Sequence, residues 1–263
     1  MDISTLFSLE GKVAVITGGS RGIGKHFAQA FLQAGCRRVY ITARKAQACF
    51  ETAEELGDRC VALPHDLSTL DGIGAFVADL KSHEDHIDIL INNAGAAWGE
   101  DYLDFSESGW DKTMDLNLKS PFFLTQRMHD LLSKEATAED PSKVINIASV
   151  DGMRLNPWET YAYQASKSGL IYLTRRVAGR LLKDNIVVNC IAPGAFASDM
   201  NRAARDHGDD VGKRIPAGRI GNPEDIAAAA LYLAARSGNY VAGQTIAVDG
   251  GLVWASIGTS IDV

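Results

Sequence analysis

A chain of 263 residues, 46% hydrophobic and 22% charged, holds enough apolar material to bury a sizeable core, and a single domain spanning residues 1–263 is the expected organisation. Its formal charge of −7 argues against the basic surface on which nucleic-acid or anionic-membrane binding depends, which leaves small-molecule chemistry as the leading class. Four cysteines, Cys36, Cys49, Cys60 and Cys190, form no C-x-x-C pair and are expected to be reduced packing thiols in a cytoplasmic protein.

The opening "MDISTLFSLEGK" lacks the basic-then-apolar order of a secretory signal. The longest apolar run, Ile226 to Ala235, falls far short of the roughly 20 residues of a membrane span. The first strand is expected at "KVAVIT" (12–17), and "GSRGIGKH" (19–26) follows it. That loop nearly matches the triphosphate pattern G-x-x-x-x-G-K-[ST], but His26 stands where a hydroxyl must reach magnesium. Read from Gly18, four glycines fall within seven residues ahead of a helix predicted over Ile23 to Ala34. A bare backbone turn feeding a helix N-terminus suits a dinucleotide pyrophosphate. After the second strand, "RVYIT" (38–42), an NAD site would place a carboxylate about 20 residues beyond the glycines, to accept the ribose hydroxyls. Arg44 occupies that place, Arg21 and Lys45 add charge, and NADP(H) with its 2′-phosphate is the expected cofactor.

The runs "CVAL" (60–63), "IDILI" (87–91), "KVINIA" (143–148), "NIVVNCI" (185–191) and "TIAV" (245–248) complete about seven strands alternating with helical stretches. This is the α/β, Rossmann-like, doubly wound parallel pattern with helices on both faces, and ligands bind outside the carboxyl ends of its strands. His83 and His86 in "SHEDH" read as a solvated turn and not a metal site; no metal is expected. The polar stretch 133–143 reads as a connector without function. The segment at about 195–221 has little strand character and lies beside the strand ends, as a substrate lid would.

Thr17-Gly18-x-x-x-Gly22-x-Gly24, Asn92-Asn93-Ala94-Gly95, Ser149, Tyr163-x-x-x-Lys167 and Pro193-Gly194 resemble, in order and spacing, the short-chain dehydrogenase/reductase family. The resemblance runs from Gly11 to Gly251 and is greatest to the bacterial 3-oxoacyl-carrier-protein reductases, including the rhamnolipid-biosynthesis branch. It implies an oxidoreductase acting on a ketone or secondary alcohol, assembled as a homotetramer or homodimer. By matching, it also implies cofactor contacts from Gly18, Ser20, Arg21, Gly22, Ile23, Gly24, Arg44, Asp66, Leu67, Asn93, Ala94, Gly95, Tyr163, Lys167, Pro193, Gly194, Ser198 and Met200. Ser198 stands where family members usually carry threonine, and the hydroxyl persists.

Hydride transfer to a ketone leaves an alkoxide that needs a proton. A tyrosine near its ordinary pKa of about 10 serves only if a cation favours the phenolate. Lys167 lies four residues after Tyr163 on one helix face, whereas Ala165 fills that place for the decoy Tyr161. Ser149, after the fifth strand, offers a hydroxyl to the same carbonyl. Asn117 is the family's fourth catalytic position by resemblance. Pro121 lacks the N–H that a helix would aim at the Asn117 carbonyl, which leaves that carbonyl for a relay water.

The substrate is expected among residues 96–103, 150–158 and 195–221, where Trp98, Met153, Trp158, Phe196 and Met200 mix with Arg154 and Arg202. Such a lining suits a 3-oxoacyl thioester, with a different ketone, sugar, quinone or steroid as the alternative, and the same residues could instead simply pack the lid. The arginines that dock an acidic carrier in the resembled reductases are replaced by Asp130 and Asp184, which favours coenzyme A thioesters or free ketones. A non-catalytic NADP-binding protein and a P-loop nucleotidase are the remaining alternatives.

Overall fold

Seven apolar runs become seven parallel strands, ordered β3-β2-β1-β4-β5-β6-β7 in one sheet, in a computed structural model that describes residues 2–255. In chain order the elements are α1 (Ile3–Leu6), β1 (Val13–Thr17), α2 (Gly22–Gln33), β2 (Arg38–Thr42), α3 (Ala46–Leu56) and β3 (Cys60–Ala62). Then come α4 (Leu70–His83), β4 (Ile89–Asn92), α5 (Glu107–Met114), α6 (Ser120–Arg127), α7 (His129–Ser133) and β5 (Ser142–Ile147). The chain continues through α8 (Tyr161–Leu181), β6 (Ile186–Pro193), α9 (Arg202–Asp206), α10 (Gly208–Gly212), α11 (Pro223–Ala234) and β7 (Thr245–Val248). Each strand coincides with a predicted run to within two residues at either end.

The inner strands β1, β4, β5 and β6 are buried throughout, because helices cover both faces. Successive side chains on β1 divide between the layers: Ala14 and Ile16 pack with Phe27 and Phe31 of α2 and Leu233 of α11. Val13 and Val15 pack with Phe76 and Leu80 of α4, Leu124 of α6 and Ala178 of α8. All four cysteines are free and buried in these layers or beside them. No helix among the described residues is long and apolar enough to cross a membrane.

Strand order reverses direction between β1 and β4, and there the carboxyl ends part to leave a crevice. Ile16 pairs with Ile41 on one side and Ile91 on the other, so Thr17, Thr42 and Asn92 end level with one another around it. The expected lid segment is pinned at its base by the Gly221 amide donating to the Ala195 carbonyl at 2.9 Å. It carries the two short helices α9 and α10. Phe196, expected against substrate, belongs to that base: it is buried, and a Cβ on Gly221 would lie 2.3 Å from its ring. Met153 likewise packs inward on Ala148, Ile171 and Cys190. Aromatic and thioether residues satisfy either environment, and burial of their large apolar area decided for the core.

Candidate active site

The glycine turn is stitched to the neighbouring strand end. The Thr17 hydroxyl accepts the amides of Asn93 and Ala94 at 2.9 and 2.8 Å, and the Asn93 side chain donates to the Thr17 and Gly18 carbonyls at 2.9 and 3.2 Å. Gly18 has φ +66°, open to glycine and strained for other residues. A Cβ on Gly24 would lie 2.3 Å from the Gly18 carbonyl oxygen, so only glycine lets α2 start so close beneath the turn. Arg21, the residue ahead of α2, makes no side-chain cap, and the first amides of the helix remain open to an anion. A dinucleotide pyrophosphate fits that donor set. Gly24→Ala is expected to weaken NADPH binding at least tenfold while leaving the far-UV spectrum intact; titration of nucleotide fluorescence checks it, and unchanged affinity would sink the cradle assignment.

The expected 2′-phosphate cations separate. Arg21 is engaged by Asp199 at 2.8 Å, and Asp199 also holds Arg205 of α9 at 2.8 Å, tying the glycine turn to the segment above it. Arg44 is exposed just beyond β2. It lies near enough to Asp66 to act on its carboxyl: burial pushes Asp66 up, but the Ser68 amide and hydroxyl and the Arg44 charge bring it below its ordinary value. Leu67 is buried beside Leu63 and Phe76, so its predicted cofactor contact would fall to backbone. Ser20 gives its carbonyl to Thr52, Ile23 packs on the α2 core, and Ser198 stands across from Gly22.

The residues expected to act on substrate converge below this crevice. Ser149 follows β5, and its Oγ accepts the Asp151 amide at 3.1 Å. On α8 the buried Lys167 reaches back beneath the strand end, its Nζ donating to the Ile147 carbonyl at 2.8 Å and lying 5.7 Å from the centre of the Tyr163 ring. A Cβ on Gly95 would be 3.2 Å from Asn117 Oδ1 and 3.6 Å from Lys167 Nζ, which brings three of the predicted residues around one point. Tyr161 is set apart, its hydroxyl bonded to Glu159 and its ring against Tyr102 and Phe105.

Asn117 holds its place differently from the sequence expectation. Ahead of Pro121 the helix widens into a π turn over Asp115–Lys119, where the Ser120 amide reaches the Asp115 carbonyl. Such bulges recur where a helix presents a functional side chain. The Asn117 side-chain amide clamps Ala96 through both its amide and its carbonyl at 2.8 Å and donates to the Ser166 hydroxyl at 3.0 Å.

Charge within the site is governed by burial. Desolvation pushes the Tyr163 hydroxyl up to about 12, helped by the Asp151 charge and opposed by a hydrogen bond to Ser149. Desolvation pushes the Lys167 ammonium down to about 8. Desolvation is thus the leading influence on both groups. The result is a protonated tyrosine beside an ammonium that readily yields its proton, with a serine hydroxyl alongside.

Sequence reasoning left unassigned the Thr17 clamp, the Ile147 carbonyl that holds Lys167 and the Ser166 hydroxyl that holds Asn117. Thr17 lay within the quoted glycine motif, the one available signal.

Exposed apolar side chains gather on two neighbouring loops. Tyr102 and Leu103 on one loop and Leu155 and Trp158 on the next are exposed, and the loops adjoin through the Glu100 amide and the Glu159 carbonyl at 3.3 Å. Met200 is exposed as well, on the segment above.

Comparisons with known proteins agree with this geometry. A family profile described as "Enoyl-(Acyl carrier protein) reductase" matches residues 18–253. The chain is 44% identical over 251 residues to the rhamnolipids biosynthesis 3-oxoacyl-[acyl-carrier-protein] reductase of Pseudomonas aeruginosa, covering 93% of this chain and 97% of that one. It is 42% identical over 257 residues to the 2-dehydro-3-deoxy-D-gluconate 5-dehydrogenase of Escherichia coli, covering 95% and 98%. Among solved structures, the Pseudomonas aeruginosa RhlG/NADP active-site complex superposes with a TM-score of 0.90 at 44% identity, covering 94% and 98%. With its glycine turn, its Ser149, Tyr163 and Lys167 set and these relatives, the chain belongs to the short-chain dehydrogenase/reductase family of oxidoreductases.

Proposed function

We propose that this protein is an NADP(H)-dependent reductase that converts a 3-oxoacyl thioester to its 3-hydroxyacyl form. The exposed apolar residues Tyr102, Leu103, Leu155 and Trp158, on two adjoining loops of which the second runs from Ser149 to α8, carry the substrate reading. The relative acting on a 3-oxoacyl carrier-protein substrate supports it. Arg44, exposed beyond β2, and a structural relative solved with NADP support the cofactor. When bound, the nicotinamide supplies the hydride.

The chain's own residues do the rest. Ser149 and Tyr163 orient the substrate carbonyl by hydrogen bonds, and Tyr163 gives its proton to the oxygen as charge develops there. Lys167 replaces that proton, and Asn117 fixes the loop on which Lys167 closes, with its carbonyl seating a water that leads to solvent. The segment 195–221 acts as a lid. A coenzyme A thioester or simple ester suits the surface better than an acidic carrier. Asp184 is engaged by His129 and Arg180, Asp130 is exposed, and Arg127 is turned to the Leu70 carbonyl instead of outward.

A second reading, oxidation or reduction of a sugar acid, rests on the relative that acts on 2-dehydro-3-deoxy-D-gluconate. Turnover with NADPH on acetoacetyl coenzyme A, longer 3-oxoacyl thioesters and keto-gluconates separates the two: the thioesters should give the higher kcat/KM, and a keto-gluconate preference would overturn the proposal. In the same assay Arg44→Ala should raise the KM for NADPH by roughly tenfold, the effect of losing one phosphate-facing charge, with the KM for NADH unmoved. A wild-type preference for NADH would refute the role given to Arg44.

A further inference from the structure

The turn after Ser149 carries a carboxylate that proton and hydride delivery do not use. Asp151 sits in the turn Val150–Gly152, its amide donating to Ser149 Oγ at 3.1 Å and the Gly152 amide donating to the Ser149 carbonyl at 3.0 Å. The turn cannot swing away from α8. The Ser168 hydroxyl donates to the Gly152 carbonyl at 2.9 Å, and a Cβ on Gly152 would lie 2.6 Å from the Lys167 carbonyl carbon. Asp151 is half-buried, and among the described residues its carboxylate accepts no hydrogen bond and joins no ion pair. Arg154, three residues on, turns its guanidinium to the Leu252 carbonyl at 3.3 Å and leaves the carboxylate unneutralised. The Asp151 charge reaches the reacting centre, since it helps to keep the Tyr163 hydroxyl protonated.

We infer that Asp151 is a specificity-determining residue whose fixed negative charge beside Ser149 and Tyr163 admits neutral 3-oxo esters and thioesters and rejects the corresponding free 3-oxo acids. A free 3-oxo acid places its carboxylate two carbons from the reacting carbonyl. Once that carbonyl sits on Ser149 and Tyr163, the substrate carboxylate shares a partly desolvated crevice with Asp151. Two like charges there repel strongly, and one must be expelled or protonated. A thioester or ester has no such charge and loses nothing. The inference rests on the proposed reading of the site as a reductase of 3-oxoacyl compounds, and it adds a reason why activation as a thioester matters to the enzyme.

The test is steady-state kinetics with NADPH on ethyl acetoacetate, acetoacetyl-N-acetylcysteamine and acetoacetate, for wild type and Asp151→Asn. For the wild-type protein the KM for acetoacetate should exceed that for the ethyl ester at least about tenfold, the ratio expected for one unit of charge interaction. Asp151→Asn should lower the acetoacetate KM by roughly tenfold while the KM for each neutral substrate stays within about twofold; kcat, which the Asp151 charge touches through Tyr163, should change by the same factor for all three. A merely structural role for Asp151 would move the KM of all three substrates together, and that result, or an unchanged ratio, overturns the inference. Absence of wild-type turnover on all three overturns the acyl reading itself and the inference with it. Should Asp151→Asn fail to show a cooperative melt, Asp151→Ser carries the same comparison.

Discussion

Tyr163→Phe is expected to lower kcat for ketone reduction by about three orders of magnitude while NADPH affinity stays within a few-fold, because general acid catalysis contributes roughly 10²–10⁴ and little else is removed. The hydroxyl is the one group at the base of the crevice that is both next to Ser149 and held protonated, with burial pushing it up to about 12. Phenylalanine fills the same volume, so packing along α8 against β6 should survive, and the melting temperature should fall by no more than a degree or two. Single-turnover kinetics with saturating NADPH, together with nucleotide titration, make the measurement. Turnover within tenfold of wild type would show that another group delivers the proton.

Lys167→Met should abolish turnover to a similar degree and yet stabilise the protein. The ammonium is buried, it is pushed from 10.5 down to about 8 by desolvation, and it donates a hydrogen bond to the Ile147 carbonyl. A lysine whose folded pKa is depressed costs stability wherever it is still charged in the folded state. The cost is full below pH 8, shrinks between pH 8 and 10.5, and vanishes above. At 1.36 kcal/mol per unit this is on the order of 3 kcal/mol, from which about 1 kcal/mol for the lost hydrogen bond must be subtracted. The variant should therefore melt a few degrees higher at pH 7, and its advantage should fade as the pH approaches 10. A lower melting temperature at pH 7, or an advantage that grows with pH, would mean that the carbonyl compensates the buried charge completely.

Strands and glycine motif were readable from the chain because their signal is carried by side-chain type: near-continuous β-branched runs can only be strands covered on both faces, and Gly18 and Gly24 sit where a Cβ has no room. The places of Arg44 and Ser149 were readable because they follow such runs, and that of the Tyr163–Lys167 pair because its spacing puts both on one face of a helix. Backbone partners were not. Nothing in the identity of Ile147 announces that its carbonyl will hold Lys167, and nothing in Pro121 alone announces a π turn in place of an ordinary kink. Phe196 and Met153 stayed open between core and pocket for a different reason: apolar residues near a site satisfy both equally until the backbone closes around them, as it does around Phe196.

The pin between Ala195 and Gly221 has a consequence for how new substrate ranges arise in this scaffold. A stretch whose two ends already meet imposes almost no distance constraint on what lies between, and the entropic penalty of lengthening it grows only with the logarithm of its length. The exposed stretch around the junction of α9 and α10 should therefore tolerate changes of length, whereas Asp199, which holds Arg21, and Ala217, whose amide donates to the Gly250 carbonyl, fix its two flanks. Insertions or deletions there would alter the segment while Phe196 keeps the junction sealed and the Arg21–Asp199 pair and the Ala217–Gly250 hydrogen bond stay in place. Diversification between those two flanks, with Ser149, Tyr163 and Lys167 untouched on β5 and α8, is a route that this architecture leaves open.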